Sequence, residues 1–155
     1  SVNWYFQELD RQMGIDVIRS HIREIGYGNE DISGGPDSYW LESSLKISPV
    51  EQVELLTDMY RNTFDFAPEN IQAVKNSLRL DTSPSGTLYG KTGTGQVDGQ
   101  NVNGWFVGFT ETADNTYFFA VNIRAENNAS GSEAAEIALN ILDEMNIREQ
   151  NTGEG

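Results

Sequence analysis

The run Tyr89-Gly90-Lys91-Thr92-Gly93-Thr94-Gly95 decides how the rest of this sequence is read. A lysine, a threonine hydroxyl and three glycines within seven residues make a poor core strand. They suit a strand edge that another group approaches closely, because glycine removes the Cβ that would block contact. A turn-rich run, Asp81 to Gly86, precedes it, and the aromatic-rich Gly104-Trp105-Phe106-Val107-Gly108-Phe109 follows. From Leu88 the pattern is that of strands: runs at about 87–93, 102–110 and 116–124 are rich in glycine, aromatic and β-branched residues. Gln96-Val97-Asp98-Gly99-Gln100 and Thr112-Ala113-Asp114-Asn115 read as hairpin connections. Three strands joined in this way form an antiparallel meander.

Helical periodicity flanks the meander on both sides. Residues 3–13 place Trp4, Tyr5, Phe6, Leu9 and Met13 at near-helical spacing, which predicts a buried helix face. Residues 16–25 repeat the pattern with Val17, Ile18, Ile22 and Ile25, and Gly26 stands where a C-cap glycine belongs. His21, the only histidine, falls in this helix, where a lone histidine is more often a surface or packing residue than a base. An irregular segment runs from Tyr27-Gly28-Asn29 to about Trp40, with a turn at Ser33-Gly34-Gly35-Pro36-Asp37. Ser48-Pro49-Val50-Glu51 is a helix start, with serine at N-cap, proline at N1 and glutamate at N3. Val53, Leu56, Met59 and Tyr60 mark its buried face, and Pro68 opens a further helix carrying Ile71, Val74 and Leu78. Glu133 to Met145 is helical again, with Ala134, Ile137, Ala138, Ile141, Leu142 and Met145 on one side. Helices, then a meander, then a helix that can cover one sheet face give an α+β fold, an antiparallel sheet flanked by helices.

Composition bounds the function. The 155 residues amount to about one domain, and 37% hydrophobic content with 10% aromatics is globular. Against 10 basic side chains stand 24 acidic ones, a net charge of −14, which argues against nucleic acid and anionic membrane surfaces as partners. There is no cysteine, hence no disulfide framework and no thiolate metal site. No apolar run approaches the roughly 20 residues that span a bilayer. The chain starts at Ser1, without methionine, in helix-like sequence, and reads as a piece of something longer. Residues 1–147 are expected to belong to one domain and 148–155 to a polar, frayed tail.

Two motifs invite a reading and fail it. Gly90-Lys91-Thr92 resembles the end of a phosphate loop, but the glycine required five positions earlier is Ser85, and no helix follows to hold a phosphate. Ser43-Ser44-Leu45-Lys46 matches the Ser-x-x-Lys of serine acyl-transfer enzymes, yet it sits just before the Ser48 cap and not at a helix start of its own.

Ser1-Val2-Asn3 gains meaning beside Lys91-Thr92-Gly93. Penicillin-recognising serine proteins combine Ser-x-x-Lys, Ser-x-Asn and Lys-Thr-Gly in that order. Together with Tyr27-Gly28-Asn29, Ser33-Gly34-Gly35, Tyr39-Trp40-Leu41-Glu42, Leu45-Lys46-Ile47-Ser48 and Asn103-Gly104-Trp105-Phe106-Val107-Gly108, these residues resemble class D β-lactamases and their relatives, the sensor domains of BlaR/MecR-type β-lactam signal transducers. The resemblance covers essentially residues 1–147. Asn3 stands where class D enzymes usually carry valine, and Asn127 to Glu136 holds no basic residue where many of them place a carboxylate-binding arginine. Both departures favour the sensor.

The resemblance implies roles. Ser1 is expected to relay a proton between the nucleophilic serine and the β-lactam nitrogen, with Lys91 as a fixed cation nearby. Thr92 would donate to the ligand carboxylate, and the Thr94 N–H would form half of an oxyanion hole, with Gly93 and Gly95 leaving room. Trp40 would pack on the family's carbamylated lysine, Asn3 would contact the ligand amide or that lysine, and Trp105 would line the substrate site. The nucleophile and the modified lysine are expected upstream of Ser1, which makes Ser43-x-x-Lys46 a decoy. No separate cofactor or metal is expected, and the small-molecule partner is a β-lactam. The parent would sit at the extracytoplasmic face of a bacterial membrane, anchored by other parts of its chain. Two further readings stay open: a secreted class D β-lactamase that hydrolyses the acyl-serine, and a cell-wall transpeptidase.

Overall fold

The computed structural model describes residues 2–148. Helices α1 (Asn3–Met13), α2 (Ile15–Glu24), α3 (Pro49–Arg61) and α4 (Pro68–Leu78) lead into strands β1 (Arg79–Ser83), β2 (Gly86–Val97), β3 (Gln100–Glu111) and β4 (Thr116–Arg124), and α5 (Gly131–Glu144) closes the order. The strands form one antiparallel sheet in the order β1-β2-β3-β4. The α+β layering is the one the sequence predicts.

Local chemistry explains the boundaries. Ser48 caps α3, with Glu51 N–H donating to Ser48 Oγ and Glu51 Oε2 accepting from Ser48 N–H, and Pro49 supplies a first turn that needs no amide donor. At the end of α2, Gly26 adopts φ +62, its N–H reaches Arg23 O and the Tyr27 N–H reaches Ile22 O. This is the paired closure a left-handed glycine allows. Between β2 and β3 the turn is Asp98-Gly99, at φ +49 and +76. It is tighter than the five-residue connection read from sequence, so Gln96, Val97 and Gln100 belong to the strands.

The sheet alternates two faces. Tyr89 and Phe109 stack on one face and pack with Phe118 against Leu56, Met59 and Tyr60 of α3 and Leu78 of α4. On the other face Leu88, Phe106, Phe119, Val121 and Ile123 pack against Ala134, Ala138, Leu139 and Leu142 of α5. Phe106 and Phe109 are almost wholly buried, one in each layer.

Three expectations are corrected. β1 is a fourth strand where a turn-rich run is read; its five residues are almost all exposed, so no hydrophobic alternation announces it. Helix α5 begins at Gly131, two residues before Glu133, because Ser130 caps it through a capping box with Glu133. The apolar face of α1 is not buried among the described residues: Trp4 is 68% and Met13 50% exposed. Periodicity shows that a helix has an apolar side, not that something covers it.

Candidate functional site

The glycine-rich strand is where the sheet opens. β1 pairs only with residues 86–89 of β2, so from Lys91 onward the outer edge of β2 has no neighbouring strand among the described residues. Lys91, Thr92, Gly93 and Thr94 are exposed, whereas Leu88, Tyr89 and Gly90 are buried. On the face that carries Lys91 and Gly93, α3 and α4 cover the Tyr89 end and the side chain of Glu42 covers the Gly95 end. Trp105 lies opposite Gly93 on β3, its Cβ 3.7 Å from where a Cβ on Gly93 would stand. Lys91, Gly93 and Trp105 therefore share one stretch of open surface.

The opposite face is held by the start of α5. Gly131 N–H donates to Thr94 Oγ1 at 2.9 Å, and a side chain at Gly131 would meet Gly93 O at 2.6 Å and Thr92 Cβ at 3.0 Å. The absence of a Cβ at 131 lets the helix N-terminus seat directly on the strand, and places its positive end beside Thr92 and Thr94. Lys91 Nζ donates to Thr92 O at 2.6 Å. Lys91 and the Thr92 hydroxyl, on the two faces of this exposed edge, can each donate to a small carboxylate laid along it.

Other predicted site residues sit on helix and loop. Ser1 lies outside the described residues, and Asn3 is exposed on the first turn of α1. Trp40 donates its Nε1–H to Asp10 Oδ2 of α1 at 3.1 Å and packs on Ile18, Ile32 and Tyr39. Burial, reinforced by the Asp10 charge, pushes the Tyr39 hydroxyl up to about 12, so it stays protonated at neutral pH. No hydrogen bond joins Asn3 to the Lys91–Thr94 run among the described residues. Ser43-x-x-Lys46 lies in an irregular loop, so helical spacing never brings its lysine beside its serine. His21 is exposed and faces Glu24 of its own helix at 3.2 Å.

The structure adds residues that the sequence does not single out. Glu42, from the loop, accepts from Asn103 Nδ2 of β3 and pairs with Arg124 Nη2 of β4 at 3.3 Å. Asn122 Nδ2 in turn reaches Asn103 Oδ1 at 2.6 Å and Gly104 O at 3.0 Å. Asn103, opposite Gly95, is buried. Glu42 and Asn103 each stand in a stretch that carries the resemblance, but nothing in the sequence places one beside the other.

Known proteins share this fold. The chain is 55% identical over 147 residues to the regulatory protein BlaR1 of Bacillus licheniformis, covering 95% of this chain and 24% of that protein. It is 46% identical to the methicillin resistance mecR1 protein of Staphylococcus aureus over the same share of this chain and 25% of that protein. It therefore spans about a quarter of the length of these curated relatives. Among solved structures it matches the C-terminal domain of the B. licheniformis BlaR penicillin-receptor with a TM-score of 0.89 and 54% identity, over 95% of this chain and 59% of that one. A class D β-lactamase from Bacillus subtilis follows with a TM-score of 0.88 and 37% identity, over 96% of this chain and 60% of that one. Residues 1–143 match the penicillin binding protein transpeptidase domain, and the chain belongs to that family, close to the BlaR/MecR sensor domains and the class D β-lactamases.

Proposed function

We propose that this chain forms part of a β-lactam sensor domain, in which the drug is held as a long-lived ester on a serine that precedes Ser1. The observation that carries the reading is the uncovered Lys91-Thr92-Gly93-Thr94 edge, on a backbone that matches the BlaR penicillin-receptor domain. In the reaction the serine Oγ adds to the β-lactam carbonyl, the ring C–N bond breaks, and the hydroxyl proton passes to the departing nitrogen through Ser1. Thr94 N–H polarises the carbonyl oxygen, a role that a backbone donor fixed in a strand fills without reorganising. Lys91 and Thr92 hold the drug carboxylate, and the bare Gly93 lets it lie against the strand. Trp105, opposite Gly93, would line the drug's site, and Asn3 and Trp40 would face it from helix and loop in this reading. A closed acyl-ester that water does not reach persists, and persistence is what a sensor needs.

The parent's place in this reading is the extracytoplasmic face of a bacterial membrane. No helix among the described residues is long and apolar enough to cross a bilayer, so any anchor is supplied by other sequence. The class D β-lactamase reading shares the site and differs in whether water then cleaves the ester. Intact-mass spectrometry after exposure to benzylpenicillin tests where the nucleophile lies. The domain with its preceding sequence restored is expected to gain one penicilloyl group, and the 155-residue chain alone none. An adduct on the 155-residue chain would sink this assignment, because it would put the nucleophile downstream of Ser1 instead of before it.

A further inference from the structure

The irregular segment between α2 and α3 is closed at its neck and fastened on two sides. Asn29 closes the neck: its Nδ2 donates to Ser44 O and its Oδ1 accepts from Lys46 N–H, both at 2.9 Å, while its own N–H reaches Lys46 O. Toward α1, which starts at Asn3, there are three ties. Gln7 Nε2 donates to Asp37 O at 3.0 Å, Arg11 Nη2 pairs with Asp37 Oδ2 at 2.8 Å, and Trp40 Nε1 donates to Asp10 at 3.1 Å.

Toward the sheet, Glu42 supplies every hydrogen bond this segment makes among the described residues. Its carboxylate is shared between Asn103 and Arg124, and its side chain fills the space a Cβ on Gly95 would need. The side chain is only 15% exposed, and Glu42 holds φ +46, a conformation uncommon for a residue with a side chain. Backbone in that region persists where its surroundings fix it. Here the surroundings are the Leu45 N–H to Tyr39 O bond that closes the loop across Glu42 and the carboxylate's own contacts to the sheet. No hydrogen bond or ion pair joins α1 to a strand directly among the described residues, so Trp40 on one side and Glu42 on the other span the gap between them.

We infer that Trp40-Leu41-Glu42 is the bridge that sets α1 against the Lys91-Thr92-Gly93-Thr94 strand, and that Glu42 is a positioning residue for acylation. The second part rests on the sensor reading above. Ser1 must reach the nitrogen of the same β-lactam whose carbonyl faces Thr94 N–H. A tie that sets this separation acts on the rate without touching the drug.

The test uses the protein with the sequence before Ser1 in place, labelled with a fluorescent penicillin, following both rate and final labelled fraction. Glu42→Ala is expected to label fully but at least about tenfold more slowly, and Glu42→Gln, which keeps an oxygen for Asn103, to return within about threefold of the parent rate. A merely structural role would lower the labelled fraction and leave the rate of the remainder unchanged, and that result overturns the inference. So does a Glu42→Ala rate equal to the parent's. Hydrogen exchange without drug gives a second readout: Glu42→Ala is expected to speed exchange across residues 30–45 and α1, and unchanged protection there overturns the bridge. If the unsubstituted protein takes no label, the sensor reading falls, and the exchange result still decides the bridge.

Discussion

Glu111 shows how a single partly buried charge is held in this fold. It sits at the end of β3, where Tyr60 OH donates to its Oε1 at 2.6 Å and Lys75 Nζ pairs with the same oxygen. Lys75 also lies over the rings of Tyr60 and Tyr89, at 5.4 and 5.1 Å from their centroids. Burial pushes the Glu111 carboxyl up, but the hydrogen bonds from Lys75 and Tyr60 outweigh it and hold the group below its ordinary value. Burial likewise pulls the Lys75 ammonium down, and Glu111 more than restores it. A carboxylate whose folded-state pKa is depressed adds stability above its unfolded value, about 4.3, and loses it as pH falls through the folded one. Urea midpoints measured from about pH 6 down to pH 3 are therefore expected to fall more steeply for the parent than for Glu111→Gln. Parallel curves for the two would contradict the pairing. The same ion pair fastens α4 to the sheet beside Tyr89, at the covered end of the site strand.

Among the elements, α5 has most to do with the site, because its first turn rests on β2. Ser130 Oγ accepts from Glu133 N–H, and Glu133 Oε2 accepts from Ser130 N–H at 2.8 Å. Loss of such a cap costs about 1 kcal/mol, so Ser130→Ala is expected to lower the unfolding free energy by about that amount in urea denaturation. An unchanged midpoint would mean the cap does not hold the helix start. Legibility at this scale follows the chemistry. Ser48-Pro49-Val50-Glu51 announces α3 because cap, proline and glutamate are all local. Ser130-Gly131-Ser132-Glu133 carries the same capping box, but the glycine within it reads as loop until Gly93 is seen to occupy the space. β1 is illegible because Arg79–Ser83 buries almost nothing, and its strand character comes only from pairing with β2. The aromatic side of α1 is visible in the sequence, but its exposure is a property of neighbours that periodicity cannot report.

At the scale of the whole molecule, half of the site was legible. Lys91, Thr92, Gly93, Thr94 and Trp105 lie within about fifteen residues and on two paired strands, so local pattern and register suffice to bring them together. Helix α1 is tied to the loop that carries Trp40, and that loop is joined to β3, beside the site strand, across 61 residues of sequence by Glu42 and Asn103. No spacing rule encodes such a pair. What unifies these parts is the claim that they hold an acyl-ester and keep water from it. The direct measurement is the lifetime of that ester: acylate the domain with its preceding sequence restored, remove free penicillin, and follow the adduct by intact mass. The sensor account predicts an adduct that persists for many minutes. Turnover of many penicillin molecules per second would contradict it and establish a class D β-lactamase in its place.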